Sequence, residues 1–263
     1  MIPPALGYFL DRTRRLHPAV CAPVSALAYR GLLRSHPIAA TRAVTGVPAG
    51  LYLHDVVHTD NGTRSDEEVS AVGAIVRHLM DRLIIDGEGS RPLAGADVLV
   101  VAPYNRQVRA IERALEAAGL PGVRVGTVDR FQGQEAAVVV TSLTTSSAAE
   151  APRGLDFLLS RNRLNVALSR AQVAAVLVMS PALLDSSPRS VAELHLLAGL
   201  ARLRAMACTD LFAVPAHRPG EPTAAAAGDG ARDGGPGAGV PEPVTEGARV
   251  AGGPRTQMHL PFS

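Results

Sequence analysis

Apolar residues along this chain fall into two alternating rhythms. Short unbroken runs occupy residues 97–102 (Asp-Val-Leu-Val-Val-Ala), 137–142 (Ala-Val-Val-Val-Thr-Ser) and 174–179 (Ala-Ala-Val-Leu-Val-Met). Runs of this length, apolar at consecutive positions, predict central strands of a parallel sheet, which are buried on both faces. Between them the period changes: Val108, Ile111, Leu115 and Ala118 recur at helical spacing, predicting a helix over 106–118 with Asn105 as its cap and Gly119 as its stop. Similar reasoning predicts strands over 51–57 and 123–127, an amphipathic helix over 66–83, and a helix over 163–171. Ser65 followed by Asp66, Glu67 and Glu68 reads as a helix N-terminus, where negative charge is favoured, and not as a metal site. Strands alternating with helices predict an α/β fold with helices on both faces of a parallel sheet.

The pattern stops near residue 206. Residues 213–254 are mostly Ala, Gly and Pro without an apolar period, too little to offset the entropy of ordering. The expected organisation is a lead-in over 1–10, one domain over 11–206 and a disordered tail over 207–263. The absence of a long apolar run or a secretory signal leads to the expectation of a soluble cytoplasmic protein with no membrane association. Cys21 and Cys208 have no metal-ligand spacing and read as ordinary thiols.

Charge adds one exclusion. The formal net charge is only +2, but all 26 basic residues are arginine. Codon bias is a sufficient cause for that composition. Its consequence is independent of the cause: these residues supply no Walker A lysine, no Schiff-base lysine and no lysine for a nuclease centre.

Three polar segments lie at the ends of predicted strands, where open parallel sheets bind ligands. The first contains Tyr104, Asn105 and Gln107; the second runs from Thr127 and Asp129 through Gln132 and Gly133 to Glu135; the third contains Arg163, Asn165 and Arg170. Gly133 permits a tight turn. On a continuous helix Arg163, Val166, Ala167 and Arg170 would share one face and project a basic strip. Asp129 and Asn165 read equally as caps or as ligand contacts. Tyr104 and Gln107 suit either contact with nucleic acid or packing at a strand end. His17 reads as a structural hydrogen-bonding residue, and Asn61-Gly62-Thr63 as a turn.

These segments resemble motifs IV, V and VI of superfamily 1 helicases of the nonsense-mediated-decay type and their DNA-processing relatives. The resembling stretches are Pro103-Tyr104-Asn105-Arg106-Gln107, Thr127-Val128-Asp129-Arg130-Phe131-Gln132-Gly133-Gln134-Glu135, and Arg163-Leu164-Asn165-Val166-Ala167-Leu168-Ser169-Arg170-Ala171. Upstream, Arg15-Leu16-His17-Pro18 resembles the family's Y-R-M-H-P segment, with Arg14 standing where the family carries an aromatic near adenine. The resemblance implies the second of two RecA-like motor domains, with ATP and Mg²⁺ in the cleft between them. It implies Arg15 and Arg170 as arginine fingers, and Gln132, Gly133, Glu135 and Arg163 as nucleotide contacts. It also implies Tyr104, Asn105, Gln107, Thr127 and Asp129 as contacts to single-stranded nucleic acid.

The missing phosphate loop leads to the expectation that a P-loop-containing helicase half must complete the site. The alternative is a non-catalytic nucleic-acid or clamp-binding module derived from a helicase. At the C-terminus, Gln257, Met258, Leu260 and Phe262 resemble the short peptides by which bacterial proteins dock on the sliding clamp, which favours DNA over RNA.

Overall fold

The structure, a computed structural model, describes residues 9–131, 133–208 and Leu211. The chain divides into two units, 1–219 and 220–263, and every described residue belongs to the first. In chain order the elements are β1 (Arg12–Thr13), α1 (Pro18–Ala28), β2 (Arg34–Ser35), β3 (Ala43–Val44), β4 (Gly50–Asp55) and α2 (Asp66–Met80). There follow β5 (Leu83–Asp86), β6 (Gly89–Pro92), β7 (Val98–Val101), α3 (Asn105–Ala117), β8 (Arg124–Gly126) and β9 (Ala136–Ser142). The last are α4 (Gly154–Leu158), α5 (Arg161–Leu168), β10 (Ala171–Met179) and α6 (Val191–Met206).

The central sheet has five parallel strands in the order β4-β10-β9-β7-β8. Its alternation sorts the core into two layers. Leu99, Val101, Val139, Ala175, Leu177 and Met179 pack in one cluster with α1, α4, α5 and α6 residues such as Val20, Leu158, Leu164 and Leu200. Val98, Val100, Val138, Val140, Val176 and Val178 pack in the other with Val72, Ile75, Val76 and Leu79 of α2 and Ile111 and Leu115 of α3. Both faces are therefore covered, as the continuous apolar runs require.

Several expected boundaries move. The helix predicted over 66–83 ends at Met80, because Leu83–Asp86 pairs antiparallel with Ala43–Val44 and Gly89–Pro92 in a small accessory sheet. Ser65 caps α2 as expected, its Oγ accepting from Glu68 N at 3.1 Å. Asn105 does not cap α3. It is the first helical residue, Tyr104 stands at the cap position, and no side chain caps the end. Gly119 follows α3 with φ +68°, the left-handed geometry of a helix stop. The helix predicted over 163–171 instead begins at Arg161 and closes at Leu168, and β10 starts at Ala171. Arg170 is thus outside the helix, and the expected shared face with Arg163 does not form.

Among the described residues no helix is long and apolar enough to cross a membrane.

Candidate functional site

The chemistry-bearing residues gather on two opposite edges of the sheet. On the amino edge, Glu135 precedes β9 and Arg170 precedes β10, and Ala136 N donates to Arg170 O at 3.1 Å, tying the two strand entrances together. Arg15 reaches the same place from the segment between β1 and α1, which is anchored by the bond from His17 N to Gln172 O at 2.8 Å. The Arg15 guanidinium donates from Nε to Glu135 Oε2 at 2.5 Å and from Nη1 to Ser169 O at 3.2 Å. Gln172 Nε2 donates to the other Glu135 oxygen at 2.9 Å. Arg42 Nη1 donates to the carbonyls of Arg14 and Arg15, both at 2.9 Å, and so pins the Arg15 backbone.

Electrostatics on this edge are dominated by cations. Partial burial raises the Glu135 pKa, but the Arg15 hydrogen bond and charge, with Gln172 and the charge of Arg42, outweigh it and hold the carboxyl below its ordinary value. Arg170 is 9% exposed; burial, then repulsion from Arg15, lowers its pKa from the usual guanidinium value. Its Nη1 makes one long bond, 3.4 Å to Gln134 O, and its buried Nε has no partner. A cleft of about 550 Å³ is lined by Arg12, Arg14, Arg15, Arg42, Glu135 and Ser169 among others; Arg170, next to Ser169 in the chain, lies behind that lining and not in it. Converging guanidinium groups with unspent donors beside an open cleft make a binding place for a polyanion.

The carboxyl edge carries a different set. Residues following β7 and β8, whose ends Val101 and Gly126 are in register, come together with the start of α5. Pro103, Tyr104, Asn105, Thr127, Asp129, Arg153, Phe157 and Arg163 line a cavity of about 300 Å³. Phe157 organises it: the Arg153 guanidinium lies 3.7 Å and the Arg163 guanidinium 4.3 Å from its ring centroid, and the Tyr104 ring is 5.7 Å away, tilted. Asp129 is largely exposed, with Arg163 at 3.9 Å. Gly126 leaves room for this turn, since a Cβ there would lie 2.9 Å from the Phe131 ring.

The structure therefore brings Arg15, Arg170 and Glu135 together on one edge and Tyr104, Asn105, Thr127 and Asp129 on the other. Gly133 lies in the exposed turn just before Glu135, with φ +86°. Arg163, expected beside the nucleotide, lines the carboxyl-edge cavity, with the length of α5 between it and Arg170. Gln107 is corrected. Its side chain is fully buried, accepting from Ser65 N at 2.9 Å and donating to Ser65 O and Ser142 Oγ, both at 3.1 Å, so its amide is spent on joining α3, α2 and β9. His17 caps α1, accepting from Ala19 N at 3.2 Å, the structural role expected of it. Asn165 donates to Tyr29 Oη at 3.1 Å. Gln132 and the terminal residues Gln257, Met258, Leu260 and Phe262 lie outside the described residues.

Sequence reasoning missed Arg42, Gln172, Arg153 and Phe157. Only the last two had a local signal, an arginine and an aromatic four positions apart. It also missed a buried polar cluster: Glu68 Oε1 meets His58 Nε2 at 3.0 Å, while Glu68 Oε2 accepts from Ser142 Oγ at 2.6 Å and Thr144 N at 2.8 Å. His58 Nδ1 lies 2.8 Å from Ser146 Oγ. A cavity of about 720 Å³ between α1, the start of α5 and α6 holds none of the predicted site residues.

Comparison with known proteins adds the following. The AAA domain family matches residues 4–182. The putative helicase mov-10-B.2 of Danio rerio is 34% identical over 99 residues, covering 34% of this chain and 10% of that protein. The 3'-5' exoribonuclease HELZ2 of Homo sapiens is 27% identical over 209 residues, 69% of this chain and 7% of that protein. The chain thus spans a tenth or less of these relatives. A crystal structure of the C-terminal domain of a possible DNA helicase from Lactobacillus plantarum aligns with 75% of this chain and 98% of its own, at 17% identity and a TM-score of 0.42.

Proposed function

Since the chain belongs to the AAA domain family, we propose that it is the second motor lobe of an ATP-dependent helicase, supplying arginine fingers to a triphosphate held by a P-loop-bearing lobe. The observation that carries this reading is the amino-edge pair. Two guanidinium groups from distant parts of the sequence stand on one edge of the sheet: Arg15 lines the cleft there, and Arg170, near enough to be repelled by it, keeps a buried donor unpartnered. The donor set fits the polyphosphate of ATP: planar cations that stay charged and offer paired N–H groups. Among the described residues no group of three or more His, Cys, Asp or Glu could hold a metal ion. In this reading Mg²⁺ is held by the other lobe.

ATP supplies the phosphoryl group; the residues here position themselves around it. Glu135 and the Ser169 carbonyl aim Arg15, and Arg42 fixes its backbone. Arg170, desolvated, meets the terminal phosphate oxygens as negative charge develops on them, where a fixed cation is worth most. In this reading Gly133 and Glu135 contact the ribose and phosphate side of the nucleotide. Glu135 also holds Arg15 while no phosphate competes for it.

The 263 residues contain no lysine, so the phosphate-loop lysine must come from elsewhere, in the same polypeptide or another. Purified protein of this sequence is expected to show no Mg²⁺-dependent ATP turnover in a phosphate-release assay, and to support turnover when joined to a P-loop domain. Sustained turnover by this sequence alone would remove the proposal.

Single-stranded nucleic acid is the track, and the carboxyl-edge cavity is its contact. Phe157, Tyr104 and the guanidiniums of Arg153 and Arg163 offer a stacking face bordered by charge, the combination that holds single strands without reading sequence. We favour DNA on the strength of the terminal hexapeptide, which we propose as a sliding-clamp ligand. A labelled peptide of residues 255–263 is expected to raise its fluorescence anisotropy with a bacterial clamp and to lose that response when Leu260 and Phe262 are both replaced by alanine. No response by the parent peptide would end the clamp assignment. One relative is named an exoribonuclease, so RNA and DNA oligonucleotides belong in the same binding series.

A further inference from the structure

We propose that α3 extends the nucleic-acid path beyond the Phe157 cavity, carrying the phosphodiester backbone along a strip of arginines on its outer face. The proposal rests on the reading of that cavity as a nucleic-acid contact. Arg106, Arg109 and Arg113 stand at positions i, i+3 and i+7 of α3, one side of a helix. With Arg64, from the segment before α2, and Ala110 they line a cavity of about 250 Å³. All four arginines are exposed.

The strip is unusual for a solvated helix face. Such faces interleave both signs, and acid–base pairs three or four apart add a few tenths of a kcal/mol. Here Glu112 and Glu116 stand three residues after Arg109 and Arg113, at the spacing for such pairs, yet neither engages them. Arg64 pairs with Asp66 at 2.7 Å, but Arg106, Arg109 and Arg113 make no side-chain ion pair or hydrogen bond among the described residues. The one engaged acid of α3, Glu112, turns instead to Arg130 at 3.6 Å. The first turn of α3 holds no acidic residue, and no side chain caps it, so the positive end of a helix of 13 residues adds to the same field. Three cations left in mutual repulsion are compensated by an anion that spans them.

Position identifies which anion. Asn105 lines the Phe157 cavity and Arg106, the next residue, lines the strip, so the two cavities are bordered by adjacent residues at the start of α3. From Arg106 to Arg113 the helix rises about 10 Å. That length spans about three phosphates at the spacing along one strand of a duplex, and fewer in an extended single strand.

The test uses the full chain, with fluorescent oligothymidylates of about 6 and about 20 nucleotides chosen to fall below and above a single binding site, titrated by anisotropy over a salt series. The variant Arg106→Gln/Arg109→Gln/Arg113→Gln is expected to bind the short strand as the parent does. For the long strand, its plot of log affinity against log salt should flatten by about 1.4, since about two phosphate contacts are lost and each on a single strand contributes about 0.7. Phe157→Ala is expected to weaken both strands, by about fivefold or more. An unchanged long-strand slope in the arginine variant, with Phe157→Ala still weakening both, overturns the strip and leaves the cavity. Equal weakening of both strands by the arginine variant also overturns it, because the arginines would then act at the cavity or through the fold. If Phe157→Ala affects neither strand, the cavity reading fails, and the proposed path falls with it.

Discussion

Replacing Arg170 by alanine is expected to lower ATP turnover of the assembled motor by about 10³-fold or more, while nucleotide affinity changes little. The reason is timing. A finger acts on charge that appears only as the phosphoryl group transfers, so its removal lowers kcat and kcat/KM together and leaves ground-state binding largely intact. Arg170 is suited to this because burial has already stripped its guanidinium of water and left Nε without a partner. Lysine at the same position is not expected to restore activity, since a point charge cannot reproduce the planar fork. Steady-state turnover and binding of a fluorescent nucleotide analogue are the paired measurements, with thermal melting to verify the fold. Parent-like turnover by Arg170→Ala would withdraw the finger assignment.

The largest expected effect on stability lies in the buried cluster. Glu68→Ala should destabilise the domain by about 3–5 kcal/mol, because removing one member of a buried pair leaves the others desolvated and unpaired. His58 Nε2, the Ser142 hydroxyl and the Thr144 amide all lose an acceptor or partner, and the side chains of both His58 and Glu68 are completely inaccessible. For a domain of this size the melting temperature should fall by roughly 10 °C. Thermal denaturation followed by circular dichroism measures it. A melting curve within a degree or two of the parent would mean that water or rearrangement satisfies the vacated groups.

How much of this was legible in the sequence depends on whether local chemistry or long-range packing decides the outcome. The buried strands were legible because β7, β9 and β10 are covered on both faces, so each carries a run of consecutive apolar residues. Ser65 was legible as a cap, and Gly119 and Gly133 as residues that free the backbone to turn, because those roles are local. The end of α5 was not. Leu164, Ala167, Leu168 and Ala171 are all buried, so the apolar spacing runs from helix into strand without a break, and only the pairing of Ala171 with Ala136 shows where one stops. That is why Arg170 was assigned to the helix face of Arg163. Gln107 misled for another reason. An amide in a helix whose opposite side bears arginines looks exposed, and nothing nearby in sequence says that Ser65, on a different helix, closes over it. The accessory sheet of β3, β5 and β6 was illegible because the residues Gly89-Ser90-Arg91-Pro92 are exposed throughout and carry no alternation.

The expectation that all three polar segments lie at strand ends held only in part, because Glu135 and Arg170 stand before β9 and β10, on the amino edge. The segment from Thr127 to Glu135 begins where β8 leaves the sheet and ends where β9 enters it, so one motif serves both edges.

The same holds for α5, and here geometry imposes a mechanical condition. Arg163 sits in its first turn and Arg170 just beyond its last residue, with a hydrogen-bonded rod of about 12 Å between them and a packed layer of Leu164, Ala167 and Leu168 along its inner side. Such a rod pivots or slides as one piece. A shift at one end that Ser169 does not absorb is carried to the other, from one edge of the sheet to the opposite one.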